Sequence, residues 1–164
     1  MDFVLTKKIN LKDMEIFEKV AMDFFFTENS PDEPYNTLMF AKKDCIFNLN
    51  FETEQTEVLY TLKDPFARQP QFFKCNESQK IILIASKQEC FHINLDKKEE
   101  IDLDHLYSVK NIESVSYDDV DKCFYLLSNK LRTRLGLYLL QINEIDPSQY
   151  NYVIKWNTKL KLGG

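Results

Sequence analysis

Residues 38–51 read LMFAKKDCIFNLNF, and residues 82–95 read ILIASKQECFHINL. The two segments align without a gap at an offset of 44 residues, and an alanine, a lysine, a phenylalanine and an asparagine recur in register. Apolar and polar residues alternate on both sides of a short polar turn in each segment, which is the pattern of a β-hairpin. A fixed period of this length indicates a repeat architecture.

A third copy of the hairpin follows further along the chain. Residues 123–129 read CFYLLSN and residues 136–142 read GLYLLQI, and a longer loop is expected between them. Each of the three copies is flanked by two more β-rich runs. The preceding runs are Asp23–Thr27, Gln71–Cys75 and Ser114–Asp118, and the following runs are Glu57–Thr61, Glu100–Leu103 and Tyr152–Trp156. Each unit is therefore predicted to contain four strands.

Four strands in about 44 residues match the strand number and length of a β-propeller blade, which typically spans about 40–50 residues. Residues 116–129, SYDDVDKCFYLLSN, resemble the first hairpin of such a blade. The Gly-His and Trp-Asp signatures of WD40 repeats are missing, so the resemblance is to WD40-like propellers as a class. It implies an all-β fold of about three four-stranded antiparallel blades, at about residues 23–66, 67–110 and 111–164.

Residues 1–22 precede the repeats and form a separate segment. Apolar residues at Leu11, Met14, Phe17 and Val20 have nearly helical spacing, so a short helix is predicted over Leu11–Met22. This segment is too short for a blade, and closed propellers need about four to eight blades. The chain is therefore expected to be part of a larger propeller, or to be completed by another chain at its exposed edges.

Charge and hydropathy narrow the range of partners. The chain has 26 acidic and 21 basic residues, a net charge of −5, which does not favour nucleic acid as a partner. Its longest apolar runs, such as residues 81–85, are far shorter than the roughly 20 residues of a membrane span. No run near the N-terminus resembles the apolar core of a signal peptide. We predict a cytoplasmic protein with protein partners and without nucleic acid or membrane contacts.

Few residues suggest reactive chemistry. Histidine occurs only at His92 and His105, and Cys90 lies on the same face of a predicted strand as His92. A metal site would need two further ligands, which no spacing supplies. We interpret the pair as buried packing, and we predict no catalytic residue, metal ligand or cofactor. The four cysteines contain no C-x-x-C pair and are predicted to be reduced thiols.

The predicted turns have to form almost without glycine. The chain contains three glycines, and only Gly136 lies within the β region. Tight hairpin turns usually favour glycine, so these turns are predicted to depend on asparagine and aspartate. Asp118, Asp119 and Asp121 fall where a hairpin turn is expected, and we interpret them as turn residues and not as a cation site.

The most concentrated basic group is Lys130, Arg132 and Arg134, on the predicted loop 130–135. Arginine can bind carboxylate or phosphate groups through two parallel hydrogen bonds. Because this loop departs from the repeat, it is the predicted interaction surface.

The favoured function is a non-catalytic scaffold for protein–protein interaction. One alternative is a propeller-based hydrolase or lyase, with a polar pocket where the loops converge. Another is a ubiquitin-like modifier, because the chain ends in Gly163 and Gly164. The 44-residue repeat and the lack of a long helix between strand pairs make the modifier the weakest of the three.

Overall fold

The computed structural model describes residues 21–25, 37–42, 44–103, 109–131 and 134–156. These residues form three four-stranded sheets, and in each sheet the strands lie in chain order and pair antiparallel. The first sheet contains β1 (Ala21–Phe25), β2 (Thr37–Lys42), β3 (Cys45–Asn50) and β4 (Thr56–Thr61). The second contains β5 (Phe72–Cys75), β6 (Ile81–Ala85), β7 (Cys90–Asn94) and β8 (Glu99–Asp102). The third contains β9 (Val109–Asp118), β10 (Cys123–Leu131), β11 (Arg134–Asn143) and β12 (Tyr150–Trp156). The predicted all-β architecture of four-stranded antiparallel units is confirmed.

The second sheet lies between the other two, and β6 is buried on both of its faces. Ile82 and Ile84 pack in the apolar cluster shared with the first sheet, whereas Leu83 and Ala85 pack in the cluster shared with the third sheet. All four are 0% exposed. A strand that serves two cores must be apolar at every position, which explains its continuous apolar sequence.

The 44-residue repeat determines which neighbouring sheet a side chain contacts. Met39 and Ala41 on β2 face the second sheet, just as Leu83 and Ala85 on β6 face the third. The sheets stack with their first strands adjacent, because β5 contacts both β1 and β9. The three sheets that the structure describes do not close into a ring.

Asparagine and aspartate side chains organise the hairpin turns. Asn50 Oδ1 accepts hydrogen bonds from the backbone N–H groups of Glu52 and Thr53, at 2.8 and 3.0 Å. The same kind of bond recurs in three other turns, with Asn94, Asp118 and Asn143 as the acceptors. Such bonds replace the conformational freedom of glycine in fixing a turn. The predicted dependence on asparagine and aspartate, and the interpretation of residues 118–121 as a turn, are confirmed.

Long polar residues occupy the left-handed positions of these turns. They are Glu54 (φ 58°), Gln79 (φ 59°), Lys98 (φ 55°) and Lys122 (φ 53°). A residue with a Cβ atom in this region costs about 1 kcal/mol relative to glycine. Glutamate, glutamine and lysine carry no sequence signal for a left-handed backbone, so these positions were not predictable from the sequence.

Substituting glycine at one of these positions should stabilise the protein. In Glu54→Gly the left-handed strain is removed, and we expect the free energy of unfolding to rise by about 0.5–1 kcal/mol. Glu57→Gly is the matched control, because Glu57 is exposed within β4, where glycine weakens a strand by a similar amount. Urea denaturation should therefore show that the free energy of unfolding rises in Glu54→Gly and falls in Glu57→Gly, although the two substitutions are identical. A change in the same direction in both variants would contradict the left-handed strain at residue 54.

Two predictions differ from the structure. The predicted helix over Leu11–Met22 is wrong at its end, because Ala21 and Met22 belong to β1 and pair with β2; residues 11–20 lie outside the described residues. The predicted loop over residues 130–135 is also too long. Leu131 pairs with Arg134, which leaves only residues 132 and 133 between the strands.

The physical reason for the shorter loop is that β10 is paired on both sides along its whole length. Leu131 pairs with Val109 of β9 as well as with β11. The register of β10 against both neighbouring strands shifts near Ser128, and the pairing continues beyond this shift. Backbone pairing on two sides outweighs the preference of charged residues for a loop.

No helix among the described residues is long and apolar enough to cross a bilayer.

Candidate functional site

The strand order places successive turns at opposite ends of the stack, because neighbouring strands run in opposite directions. We call one end the turn end, formed by residues 51–55, 76–80, 95–98, 119–122 and 144–149. We call the other the crossover end, formed by residues 62–71, 86–89 and the ends of β10 and β11. The connections that lead from one sheet to the next start or finish at the crossover end.

At the turn end, Glu144 joins the second and third sheets. Its Oε2 atom accepts hydrogen bonds from Tyr117 OH at 2.7 Å and from Asn76 Nδ2 at 3.1 Å. Its backbone oxygen lies 2.7 Å from His92 Nε2. Asn76 and His92 come from the second sheet, whereas Tyr117 and Glu144 come from the third. Glu144 therefore joins the two sheets through two hydrogen bonds, with Asn76 and His92, and makes a third with Tyr117 of its own sheet.

His92 is a buried hydrogen-bond donor in this cluster. The side chain is 2% exposed, and its ring meets Phe124 edge-on with the centroids 6.4 Å apart. A carbonyl oxygen can only accept, so the Nε2 atom facing Glu144 carries the proton. Burial lowers the pKa of His92 below its ordinary value of 6.5, which favours the neutral ring. Cys90 is also buried between the sheets, so both side chains of this pair lie in the interior.

Two other groups near this cluster are held in their protonated forms. Burial and the hydrogen bond to Glu144 raise the pKa of the Tyr117 hydroxyl. Burial and the charge of Asp121 raise the pKa of the Cys123 thiol, whose Sγ donates to the backbone oxygen of Asp121 at 3.2 Å. A thiol with a raised pKa is a poor nucleophile. The cluster therefore acts by holding two sheets together.

The lowered pKa of His92 predicts a pH dependence of stability. The imidazole is neutral in the folded protein but takes up a proton on unfolding below about pH 6.5, so its contribution is present above that pH and is lost as the pH falls. We expect the stability difference between the wild type and His92→Gln to be constant above pH 6.5. It should shrink steadily toward pH 5, as followed by urea denaturation at each pH. A difference that does not change with pH would contradict a buried neutral His92.

At the crossover end, the connection from β4 to β5 borders a cleft of about 380 Å³. The lining residues are Asp44, Pro65, Phe66, Ala67, Arg68, Gln69 and Pro70. Phe66 anchors the connection by packing edge-on against Phe91, with the ring centroids 5.1 Å apart. The backbone N–H of Ala67 donates to a carboxylate oxygen of Glu89 at 3.0 Å. The exposed Arg68 thus lies on a connection that is fixed to the second sheet.

The predicted basic group belongs to the same end of the stack. Lys130 pairs with Lys110 of β9, and Arg134 opens β11, so both lie at strand ends and not within a long loop. Arg132 lies outside the described residues. Sequence reasoning missed the cleft and Arg68, because no repeat or motif marks residues 65–70. It also missed Glu144, whose role depends on three partners distant in sequence.

No group of three or more histidine, cysteine, aspartate or glutamate residues in the described part of the chain could hold a metal ion. All four cysteines fall within the described residues, and they form no disulfide with one another. Cys75, Cys90 and Cys123 are buried, and Cys45 is partly exposed.

No protein-family model and no curated protein sequence matches the chain. Among solved structures, it is similar to a chain of a nidogen/laminin complex, with a TM-score of 0.53 and 9% identity over 73% of this chain and 44% of that chain. The fold is propeller-like. The N-terminal domain of Nup159 is a further similar structure, with a TM-score of 0.49 and 10% identity over 78% of this chain and 30% of that domain. The chain thus spans less than half the length of either structure.

In this propeller-like arrangement, the first strand of each sheet lies on the inner side of the stack, because β5 contacts both β1 and β9. The fourth strands, β4, β8 and β12, are the outer edges. The turn end and the crossover end are then the two faces of the propeller-like array.

Proposed function

We propose that this chain is a non-catalytic scaffold for protein–protein interaction, built from propeller-type sheets, with its partner-binding surface at the crossover end. The observation that carries the proposal is the cleft along the connection 62–71, which Arg68 lines and which the contacts of Phe66 and Ala67 fix to the second sheet. A rigid stack of sheets supports loops of different sequence at constant positions, which suits recognition by surface contacts.

The described histidine, His92, has a structural role. His92 is buried, neutral and hydrogen-bonded to a backbone oxygen, so its ring maintains the packing between two sheets. Two acidic residues of the 118–121 turn are hydrogen-bonded within the fold. Asp118 Oδ1 accepts from the backbone N–H of Val120, and Asp121 Oδ2 accepts from Tyr125 OH at 2.7 Å. These groups stabilise the scaffold.

The chemistry of the crossover end indicates the kind of partner. Arg68 places positive charge in a cleft lined by proline and phenylalanine. Lys130 and Arg134 lie at strand ends on the same end of the stack. An acidic protein segment with an apolar side chain fits such a surface, since arginine binds carboxylates bidentately. The predicted cytoplasmic location remains a prediction from the sequence.

The test is proximity labelling with the chain as bait in cells of its source. We expect a reproducible set of labelled proteins for the wild type and a loss of about tenfold or more for Arg132→Glu/Arg134→Glu. The control is Lys80→Glu/Lys97→Glu, which changes the charge equally at the turn end. If no protein exceeds the background of a bait-free control, the scaffold function is wrong. If the arginine variant labels the same proteins at the same level, the assigned surface is wrong.

A further inference from the structure

Two apolar side chains are exposed at the turn end of the third sheet. Val120, in the turn 118–122, is 85% exposed, and Ile145, in the turn 144–149, is 63% exposed. They are the most exposed large apolar side chains among the described residues. A backbone hydrogen bond of 3.1 Å joins the two turns, so the two side chains belong to one surface. We call the surface formed by these two turns the third-sheet tip.

Both residues occupy a turn position that is polar elsewhere at the turn end. Val120 follows Asp118 by two places and Ile145 follows Asn143 by two places, and the backbone N–H of each donates to that side chain, at 2.8 and 2.9 Å. The residues two places after the asparagine in the other described turns of this end are Glu52, Ser78 and Asp96. The turn itself therefore does not require an apolar side chain, and the third sheet departs from the repeat here.

The exposure of this turn position does not depend on what packs against a sheet. The second sheet has a neighbouring sheet on both sides, and yet Ser78 and Asp96 are exposed in its turns. Side chains at the tip of a hairpin lie beyond the ends of the paired strands, whereas sheets stack through their faces. The third-sheet tip is therefore accessible to a partner that approaches the turn end.

Hydrogen bonds fix the conformation of both turns. Asp118 Oδ1 also accepts from the backbone N–H of Asp121 at 3.3 Å. In the other turn, Asp146 Oδ1 accepts from the hydroxyl of Ser148 at 2.6 Å, and the backbone oxygen of Asp146 accepts from the backbone N–H of Gln149 at 3.0 Å. A surface that is already ordered loses little conformational entropy when it binds a partner.

The charge of the third-sheet tip indicates which partner fits. Its one basic residue, Lys122, is ion-paired with Glu77 of the second sheet at 2.6 Å. Its acidic residues are Asp118, Asp119, Asp121, Glu144 and Asp146. The hydrogen bonds from Ser148 lower the pKa of the Asp146 carboxyl below its ordinary value, so this group is ionised at neutral pH. Such a surface attracts a basic segment and repels an acidic one.

We propose that the third-sheet tip binds a basic segment of a partner protein, and that an apolar side chain of this segment covers Val120 and Ile145. Lysine or arginine residues on either side of that side chain pair with the surrounding carboxylates. An apolar centre with a polar border is the usual composition of a protein interface. The inference goes beyond the proposed function, because the cleft beside Arg68 lies at the opposite end of the stack and suits an acidic segment.

Selection of random short peptides, displayed on phage, against the immobilised full chain tests the proposal. We expect enrichment of peptides that combine lysine or arginine with a large apolar residue. For a synthetic copy of an enriched basic peptide, the dissociation constant measured by fluorescence anisotropy should rise at least about tenfold in Val120→Ser/Ile145→Ser. These substitutions leave the charge of the chain unchanged. Val58→Ser/Ile101→Ser is the matched control, because Val58 and Ile101 are 52% and 38% exposed on β4 and β8, and it should bind like the wild type.

Each outcome decides the proposal. A selection that enriches no basic peptide would overturn it. Equal binding of an enriched basic peptide to the wild type and to Val120→Ser/Ile145→Ser would also overturn it, since net charge alone would then explain the binding. Thermal unfolding shows whether the double variant is folded, and the two single variants replace it if it is not. Acidic peptides from the same selection test the proposed function separately, because their binding should weaken in Arg68→Glu and not in Val120→Ser/Ile145→Ser.

Discussion

Phe124→Ala should lower the free energy of unfolding by about 3–5 kcal/mol, the cost of removing a fully buried aromatic side chain. Phe124 is 0% exposed in the core between the second and third sheets. Its ring also contacts Tyr117, at a centroid distance of 5.0 Å, and meets His92 edge-on. The substitution thus leaves a cavity and also removes the apolar support of two members of the Glu144 cluster.

Urea denaturation followed by circular dichroism measures this loss. Val120→Ala is the control, because Val120 is 85% exposed in the neighbouring turn and should change stability by less than about 0.5 kcal/mol. The pH dependence assigned to His92 should also weaken in Phe124→Ala, since water can reach the imidazole through the cavity. A loss below about 1 kcal/mol would mean that the second and third sheets do not share a close-packed core.

Asn76→Ala should cost about 2–3 kcal/mol, a large effect for a polar residue. Asn76 is 3% exposed, and its Oδ1 atom accepts from the backbone N–H groups of Lys80 and Ile81, both at 3.0 Å. Its Nδ2 atom donates to Glu144 in the third sheet. Alanine would leave the buried N–H of Ile81 without its acceptor side chain and would break one of the bonds that join the two sheets.

The matched control for Asn76 is Asn94→Ala, at the corresponding place in the β7–β8 turn. Asn94 is partly exposed and accepts from Lys97 N within its own turn, so we expect a loss of about 1 kcal/mol or less. Asn76→Asp separates the two roles of the residue, because it keeps an acceptor oxygen but sets a second carboxylate against Glu144. Its destabilisation should decrease in acid, as the introduced aspartate is protonated. Equal losses for Asn76→Ala and Asn94→Ala would show that the contact between sheets contributes nothing.

The repeat was predictable because it depends only on the spacing of apolar residues along the chain. Residues 38–51 and 82–95 match because Met39 and Leu83, like Ile46 and Cys90, each face the next sheet in the stack. The number of strands in each sheet and the antiparallel pairing followed from the same alternation. Errors occurred where the repeat is interrupted. At the start of β1, pairing with β2 includes Ala21 and Met22, which the helical spacing had assigned to a helix. At the hairpin between β10 and β11, pairing of β10 on both sides extended the strand through residues that favour a turn.

The candidate site was much less predictable. Lys130, Arg132 and Arg134 stood out as a local cluster of charge, but Arg68 gave no local signal for a cleft. Glu144 contacts Asn76 across 68 positions of sequence and His92 across 52, so no short motif could reveal it. The residues at the left-handed turn positions likewise have no propensity for that conformation.

The sequence by itself therefore determined the all-β architecture, the period of 44 residues and the side chains that make the turns, because alternation and turn chemistry act over a few residues. Only the tertiary structure decided that His92 is a neutral donor to Glu144 and that the connection 62–71 borders a cleft. These properties depend on which sheets come to lie side by side, and contacts between sheets join residues that are far apart in the chain.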